Sequence, residues 1–300
     1  MLIREKIYII LINYNSFEHT YECVESIFNS EGNFDLFTVI IDNASRENVD
    51  KKIIDSFIDR EYYSKIFFIK NKENLGFGVA NNIGIDFAIH HDADYILILN
   101  NDTVIDKNCI RYLKMTVDSN DDMILSTGKI LNYYQKNLIW YAGGDLSDYK
   151  GDAVSYGFNT IDDGQFDKVR SCTFASGCCM FGKSKLFQNI MFSKDYFLYF
   201  EDVGFCKELY KLGYKIIYNP KAIIYHKESA STKKNSKLYV YYFTRNRLLY
   251  INENIAGLKK IAATIYTCFW IVKKIVTRQF DYDVVAEGVH DYIKGIKGKK

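Results

Sequence analysis

Proline is almost missing from this chain, with one residue in 300, which excludes a proline-rich linker or a polyproline segment. No Cys-x-x-Cys pair occurs among the seven cysteines, Cys23, Cys109, Cys172, Cys178, Cys179, Cys206 and Cys268, so a zinc cage is not expected. An odd number of cysteines also rules out complete pairing within the chain, and no secretory leader opens the sequence; a reducing, cytoplasmic location is the expectation. The longest uncharged apolar run near the C-terminus, 261–272, is too short to span a bilayer. Gly76, Gly78 and Gly84 miss the Gly-x-Gly-x-x-Gly spacing, because five residues separate the last two. A P-loop is missing as well, so neither a dinucleotide fingerprint nor a Walker-type phosphate site is present. No internal repeat or low-complexity tract is found.

With 48% hydrophobic and 25% charged residues, the chain can bury a sizeable core, and its length suits one large domain or two modest ones. The net charge of +2 conceals an asymmetry: residues 231–300 hold 14 Lys/Arg against 5 Asp/Glu, whereas residues 1–230 hold 25 against 32. An acidic body with a basic tail predicts a boundary near residue 230. No nucleic-acid partner is expected for such a body, while the tail suits a membrane surface or another anionic partner.

The organising stretch is 95–103. Residues 96–99 are apolar without alternation, the mark of a strand buried on both faces, as in a parallel sheet. The run stops at Asn100, Asn101 and Asp102, at the carboxyl end of that strand, where open α/β sheets bind ligands. A carboxylate there can hold a hard cation against a phosphate; the alternative is a turn leading into a helix cap. The same pattern recurs along the chain. Strands at 7–12, 38–41 and 66–69 alternate with helices at 18–28, 51–58 and one opened by the stretch 74–84 and running to about residue 90, predicting a mostly parallel sheet with right-handed crossovers. Asn13, Asp42 and Asn74 again fall at strand ends. Gly76 and Gly78 permit a tight turn beside a ligand, or the entry geometry of the following helix.

Further along, a helix is expected over 106–118 and a strand over 123–126. Residues 132–165, rich in Tyr, Gly, Asp and Asn, read as long loops or a hairpin over the sheet. A strand is expected at 169–174. A helix from Glu201 to about residue 212 is ended by Gly213. A strand at 214–218, a turn at Asn219-Pro220 and a last strand at 223–226, ending in His226, complete the body. The acidic pair Glu201-Asp202 opens its helix, where carboxylates also favour the macrodipole. The tail reads as helical over 238–251 and again over 257–276, aromatic and basic. Its segment 257–278 suits either a helix lying on an anionic membrane surface or one packed on the core.

These residues resemble family 2 glycosyltransferases of the GT-A fold, in the branch of rhamnosyltransferase-like enzymes, over about residues 5–230. The resemblance rests on Asn13-Tyr14-Asn15, Asp42-Asn43-Ala44-Ser45, Asn74-x-Gly76-Phe77 continuing to Asn81-Asn82-x-Gly84, Asn100-Asn101-Asp102, Ser176-Gly177-Cys178, the run 197–202 ending in Glu201-Asp202, Gly213-Tyr214 and His226. It implies an inverting transfer of a sugar from a nucleoside diphosphate, dTDP-rhamnose or a UDP-sugar, to a hydroxyl of a saccharide or lipid-linked glycan, in cell-surface polysaccharide synthesis. It implies that Asp42 binds the nucleobase or ribose and that Asn13, Asn15, Asn74, Gly76, Asn81, Asn100, Asn101 and Gly177 surround the donor. Asp102 and His226 would hold Mn²⁺ or Mg²⁺, and Asp202 would be the catalytic base with Glu201 beside it.

The sequence departs from the family pattern at three points. Asn100 stands for the first aspartate of the family's Asp-x-Asp, Asn101 stands where this branch often has proline, and Gly204 stands where a second aspartate is common. Those departures keep open a sugar-nucleotide-binding chain without catalysis. A nucleotide-dependent oxidoreductase lacks the glycine fingerprint it would need.

Overall fold

The computed structural model describes residues 4–120, 123–227 and 236–300. Its first half is a run of strand–helix units. Strand β1 (Glu5–Asn13) leads through α1 (Phe17–Phe28) to β2 (Phe34–Asp42), through α2 (Val49–Phe57) to β3 (Ile66–Lys70), and through α3 (Phe77–His90) to β4 (Tyr95–Leu99). These strands pair in parallel in the order β4-β1-β2-β3. The unalternating apolar runs are explained by position: β1 and β4 are central, so both of their faces lie under helices. All five side chains of β4 are buried, as are Ile7 to Leu11 of β1. In this register Asn13 lies beside Asp42, and Asp42 beside Lys70, so the polar strand ends share one edge.

The second half departs from simple alternation. After β5 (Thr103–Ile105) and α4 (Cys109–Asp118) come β6 (Ile124–Asn132), β7 (Ile139–Tyr141), the separate hairpin β8 (Gly144–Ser147) with β9 (Asp152–Ser155), and β10 (Arg170–Cys172). The hairpin lies in the 132–165 region, where long loops or a hairpin were expected. Strand β11 (Cys179–Lys183) was not anticipated; it runs antiparallel to both β4 and β6 and so joins the halves of one ten-stranded sheet. A short helix α5 (Ser184–Asn189) precedes α6 (Glu201–Lys211).

Strand β12 (Lys215–His226) is a single strand where two strands and a turn were expected. The sole proline falls inside a register shift between Asn219 and Ile223 against β6, an irregularity at which a missing N–H costs nothing. The Asn219 side chain supports the bend, donating to Thr116 Oγ1 at 2.8 Å and accepting from the Lys221 N–H at 3.0 Å.

Three helices follow, α7 (Lys237–Asn254), α8 (Gly257–Val276) and the unanticipated α9 (Tyr282–Ile293). Leu249, Tyr250 and Ile251 of α7 and Ala263 of α8 belong to the core that contains the strands. The boundary expected near 230 falls in 228–235, outside the described residues. No helix among the described residues is long and apolar enough to cross a membrane. Helix α8 buries only Ala263, Thr267 and Ile271; Leu258, Ile261, Ile265, Phe269, Val272 and Val276 face outward.

Candidate active site

The carboxyl ends of the strands open into a cavity of about 700 Å³. Of the residues singled out in the sequence, Asn74, Gly76, Asn100, Asn101, Asp102, Gly177, Glu201, Asp202 and His226 line it. Asn13, Asn15, Asp42 and Asn81 do not.

Asn13 and Asp42 are wholly buried and hold each other. The Asn13 amide donates to Asp42 Oδ1 at 3.1 Å and to Ser45 Oγ at 3.0 Å, and its carbonyl accepts from Thr20 Oγ1 at 2.9 Å. The Ser45 N–H adds a further donor to the Asp42 carboxylate. Asn15, at φ 53°, accepts from the Arg46 N–H at 2.8 Å, so this group supports the cavity wall from behind. Asn81 lies within α3 and donates to the Phe77 carbonyl at 3.0 Å.

The wall itself is organised by Asn43, which sequence reasoning passed over although it sits in the Asp42-Asn43-Ala44-Ser45 motif. Its carbonyl accepts from Asn71 Nδ2 at 3.1 Å and the Leu75 N–H at 3.0 Å; its amide donates to Asn74 Oδ1 at 2.9 Å. Gly76 caps α3 at φ 80°, and a Cβ there would lie 2.2 Å from the Phe197 carbonyl oxygen. The glycine therefore serves both helix entry and close approach to the cavity.

Asp102 sits where β4 gives way to β5. Its Oδ1 lies 3.1 Å from His226 Nε2, and both side chains are nearly covered. Burial alone would raise the Asp102 carboxyl; the hydrogen bond to His226, with His226 and His19 nearby, outweighs burial and holds it below the ordinary value. His226 Nδ1 is buried without a partner, and the Trp140 ring meets the imidazole edge to face at 4.7 Å. Asn101 points away from Asp102, donating to Ser16 Oγ at 2.9 Å and Thr20 Oγ1 at 2.8 Å. No group of three or more His, Cys, Asp or Glu side chains suited to a metal is found among the described residues. Asp102 and His226 form a pair of oxygen and imidazole nitrogen donors, a donor set that would suit a divalent cation only with further ligands from outside the chain.

The same cavity is lined by Glu201 and Asp202, with which α6 begins. Asp202 Oδ2 accepts from the Gly177 N–H at 3.1 Å and Oδ1 from the Val203 N–H at 2.8 Å. Glu201 is buried and its Oε2 has no partner. Burial raises both carboxyls above the ordinary range; for Glu201 the charge of Asp202 adds to it. The cavity also takes Trp140, Asn159, Tyr199 and Tyr239, none of which the sequence reading selected. Trp140 lies in the 132–165 segment read as loops or a hairpin, and Tyr239 in the segment 238–251 read as a basic, aromatic helix.

Residues 8–191 match the family model described as Glycosyl transferase family 2, and the chain belongs to that family. It is 23% identical over 304 residues to the low-salt glycan biosynthesis hexosyltransferase Agl10 of Haloferax volcanii, across 97% of this chain and 91% of that protein. The structure is similar to that of GalNAc-T7 crystallised with UDP, GalNAc and Mn²⁺ (TM-score 0.62, 14% identity, 92% of this chain), of which it spans 58%. It is also similar to Staphylococcus aureus TarS 1–349 (TM-score 0.54, 14% identity, 87% of this chain and 70% of that one). The fold is GT-A-like, with a mostly parallel sheet, flanking helices and added C-terminal helices. The chain is a glycosyltransferase.

Proposed function

We propose that this glycosyltransferase inverts the anomeric centre, drawing on a nucleoside-diphosphate sugar and a hydroxyl of a saccharide or lipid-linked glycan. The donor is dTDP-rhamnose or a UDP-sugar, and the product serves cell-surface polysaccharide synthesis. The observation that carries the reading is the presence, in one cavity, of both the Asp102–His226 pair and the Glu201–Asp202 pair.

Asp202 is the base. Two backbone N–H groups fix its carboxylate, and burial raises its basicity towards the value an acceptor hydroxyl requires. As the acceptor oxygen bonds to the anomeric carbon, its proton passes to Asp202. The bond from that carbon to the phosphate oxygen breaks on the far face, and the diphosphate leaves with the electron pair. Attack and departure on opposite faces invert the centre. Asn43 and Asn74, supported by Asn13 and Asp42, face the nucleotide, and holding both substrates in line supplies much of the rate. Asp102 and His226 would hold Mn²⁺ or Mg²⁺, which would stabilise the negative charge of the leaving diphosphate. Asn100 contributes one charge fewer than aspartate would, so cation affinity rests more on the diphosphate.

The outward apolar stripe of α8, flanked by Lys259, Lys260, Lys273 and Lys274, supports contact of 257–278 with an anionic membrane surface, where a lipid-linked acceptor would lie. The reading is tested by screening nucleotide sugars for nucleoside diphosphate release with Mn²⁺ or Mg²⁺ and with chelator. Metal-dependent release from one donor is expected. Tight binding of a nucleotide sugar without release, given a full acceptor panel, would instead indicate a binding chain.

A further inference from the structure

Helix α6 is entered through an uncommon backbone. Tyr199 and Phe200 both have positive φ, 65° and 71°, a region that costs side-chain-bearing residues free energy and persists only where the surroundings impose it. Neither is glycine, and Phe200 is buried among aromatic rings. What imposes the conformation is visible in the carbonyls. Phe197 O accepts from the Phe77 N–H at 3.3 Å. The next two, Leu198 O and Tyr199 O, both accept from one group, Asn246 Nδ2, at 2.9 Å each.

Asn246 lies on α7 and is wholly buried. Its orientation is fixed from the other side, because Arg245 Nε donates to Asn246 Oδ1 at 3.0 Å. An amide whose oxygen is taken by a guanidinium must turn its two N–H donors to the loop. Both donors are thereby used, on adjacent carbonyls that lead directly into Glu201 and Asp202.

We infer that Asn246 is a positioning residue of the active site: from the C-terminal helix it pins the strained turn that aims the Glu201–Asp202 pair into the cavity. The aim depends on it because Glu201 and Asp202 are two and three residues beyond the last pinned carbonyl, that of Tyr199. A misplacement of about 1 Å at a reacting group costs on the order of 10²-fold in rate. The consequence for turnover rests on the reading of Asp202 as base; the pinning itself does not.

The test uses the full chain and two variants. Asn246→Ala removes both donors, and Leu249→Ala removes buried apolar volume from the same helix while leaving both donors to the turn in place. Hydrogen exchange, which requires neither substrate nor metal, should rise in Asn246→Ala selectively over 197–204, and should not do so in Leu249→Ala. With the donor found by the nucleotide-sugar screen, kcat of Asn246→Ala should fall on the order of 10²-fold. Affinity for UDP and dTDP, each with Mn²⁺, should stay within a few-fold. Should Asn246→Ala fail to fold, Asn246→Ser, which keeps one donor, must show the same selective rise. Unchanged exchange over 197–204, or an equal rise there in Leu249→Ala, overturns the inference. A selective rise in a chain that turns over no nucleotide sugar would leave the pinning in force and remove the glycosyl-transfer reading instead.

Discussion

Helices α7 and α8 are adjacent in a tail that reads as uniformly basic and aromatic, yet they treat water in opposite ways. Helix α7 hides its arginines: Arg245 and Arg247 are 0% and 2% exposed. Helix α8 displays its apolar residues, with Leu258 at 84% and Phe269 at 72%. The difference lies in partners. Arg245 donates to the Gly298 carbonyl at 2.6 Å, and Arg247 to the Lys150 carbonyl at 2.7 Å while facing Asp152 at 3.4 Å. With Asn246 between them, three consecutive side chains tie three separate segments to one helix turn. Such carbonyl and carboxylate partners make the buried charges tolerable, although Arg247 Nε is buried without a partner. On α8 no protein segment among those described covers the outward apolar stripe.

The largest effect that would sharpen this comparison is expected from Arg247→Ala. It leaves Asp152 without its cation, and breaking a buried pair in this way costs roughly 3–5 kcal/mol. Burial already raises the Asp152 carboxyl to about 6 against the lowering effect of Arg247; without Arg247 it rises further. The native state then keeps a proton that the unfolded chain has lost. Stability should therefore fall as pH rises from the unfolded value through the raised native one. Urea unfolding at pH 5 and pH 8 checks this: a larger loss at pH 8 is expected, and an equal loss at both would break the argument.

Glu201 is the counterexample within the site, a buried carboxyl with one oxygen unpartnered. Its native value is raised by burial and by Asp202, so wild-type stability should decline as pH rises through that window. Glu201→Gln removes the titration and should flatten the profile, gaining on the order of 1–3 kcal/mol at its alkaline end. A profile with the same slope as wild type would contradict the raised Glu201 carboxyl as its source.

The smallest effect on stability is expected on α8. Phe269→Ser and Val272→Ser touch little protein and should each stay within about 0.5 kcal/mol. Together they should weaken co-sedimentation with anionic vesicles, and salt should weaken it in the wild type. Vesicle binding unchanged by both substitutions and by salt would remove the membrane role of the stripe.

The legibility of the sequence follows the same division. Strands β1 and β4 could be read because a strand covered on both faces must be apolar throughout and must end where the sheet ends; Asn13, Asp42 and Asp102 followed from that. Strand β11 escaped notice because Cys179-Met-Phe-Gly-Lys183 contains no β-branched residue and is only five residues long. The Asn219-Pro220 turn was misread because a register shift absorbs the proline within one strand. Helix α9 and the buried arginines were hidden for another reason. Asp291 accepts from Tyr241 Oη at 2.6 Å, and Arg245 and Arg247 reach carbonyls distant in sequence, so their burial depends on partners that periodicity does not encode. Asn43 and Asn246 belong to that group: their roles lie in carbonyl and amide geometry, which composition does not reveal.

The central claim is that Asp202 removes the acceptor proton, and Asp202→Asn tests it most directly because it preserves size and removes the basic lone pair. With the donor identified by the nucleotide-sugar screen, kcat should fall by about 10²–10⁴, while affinity for the nucleoside diphosphate stays within a few-fold and the melting temperature is kept. Glu201→Gln should cost less. Near-normal turnover by Asp202→Asn, together with a dead Glu201→Gln, would contradict the account and transfer the role of base to Glu201.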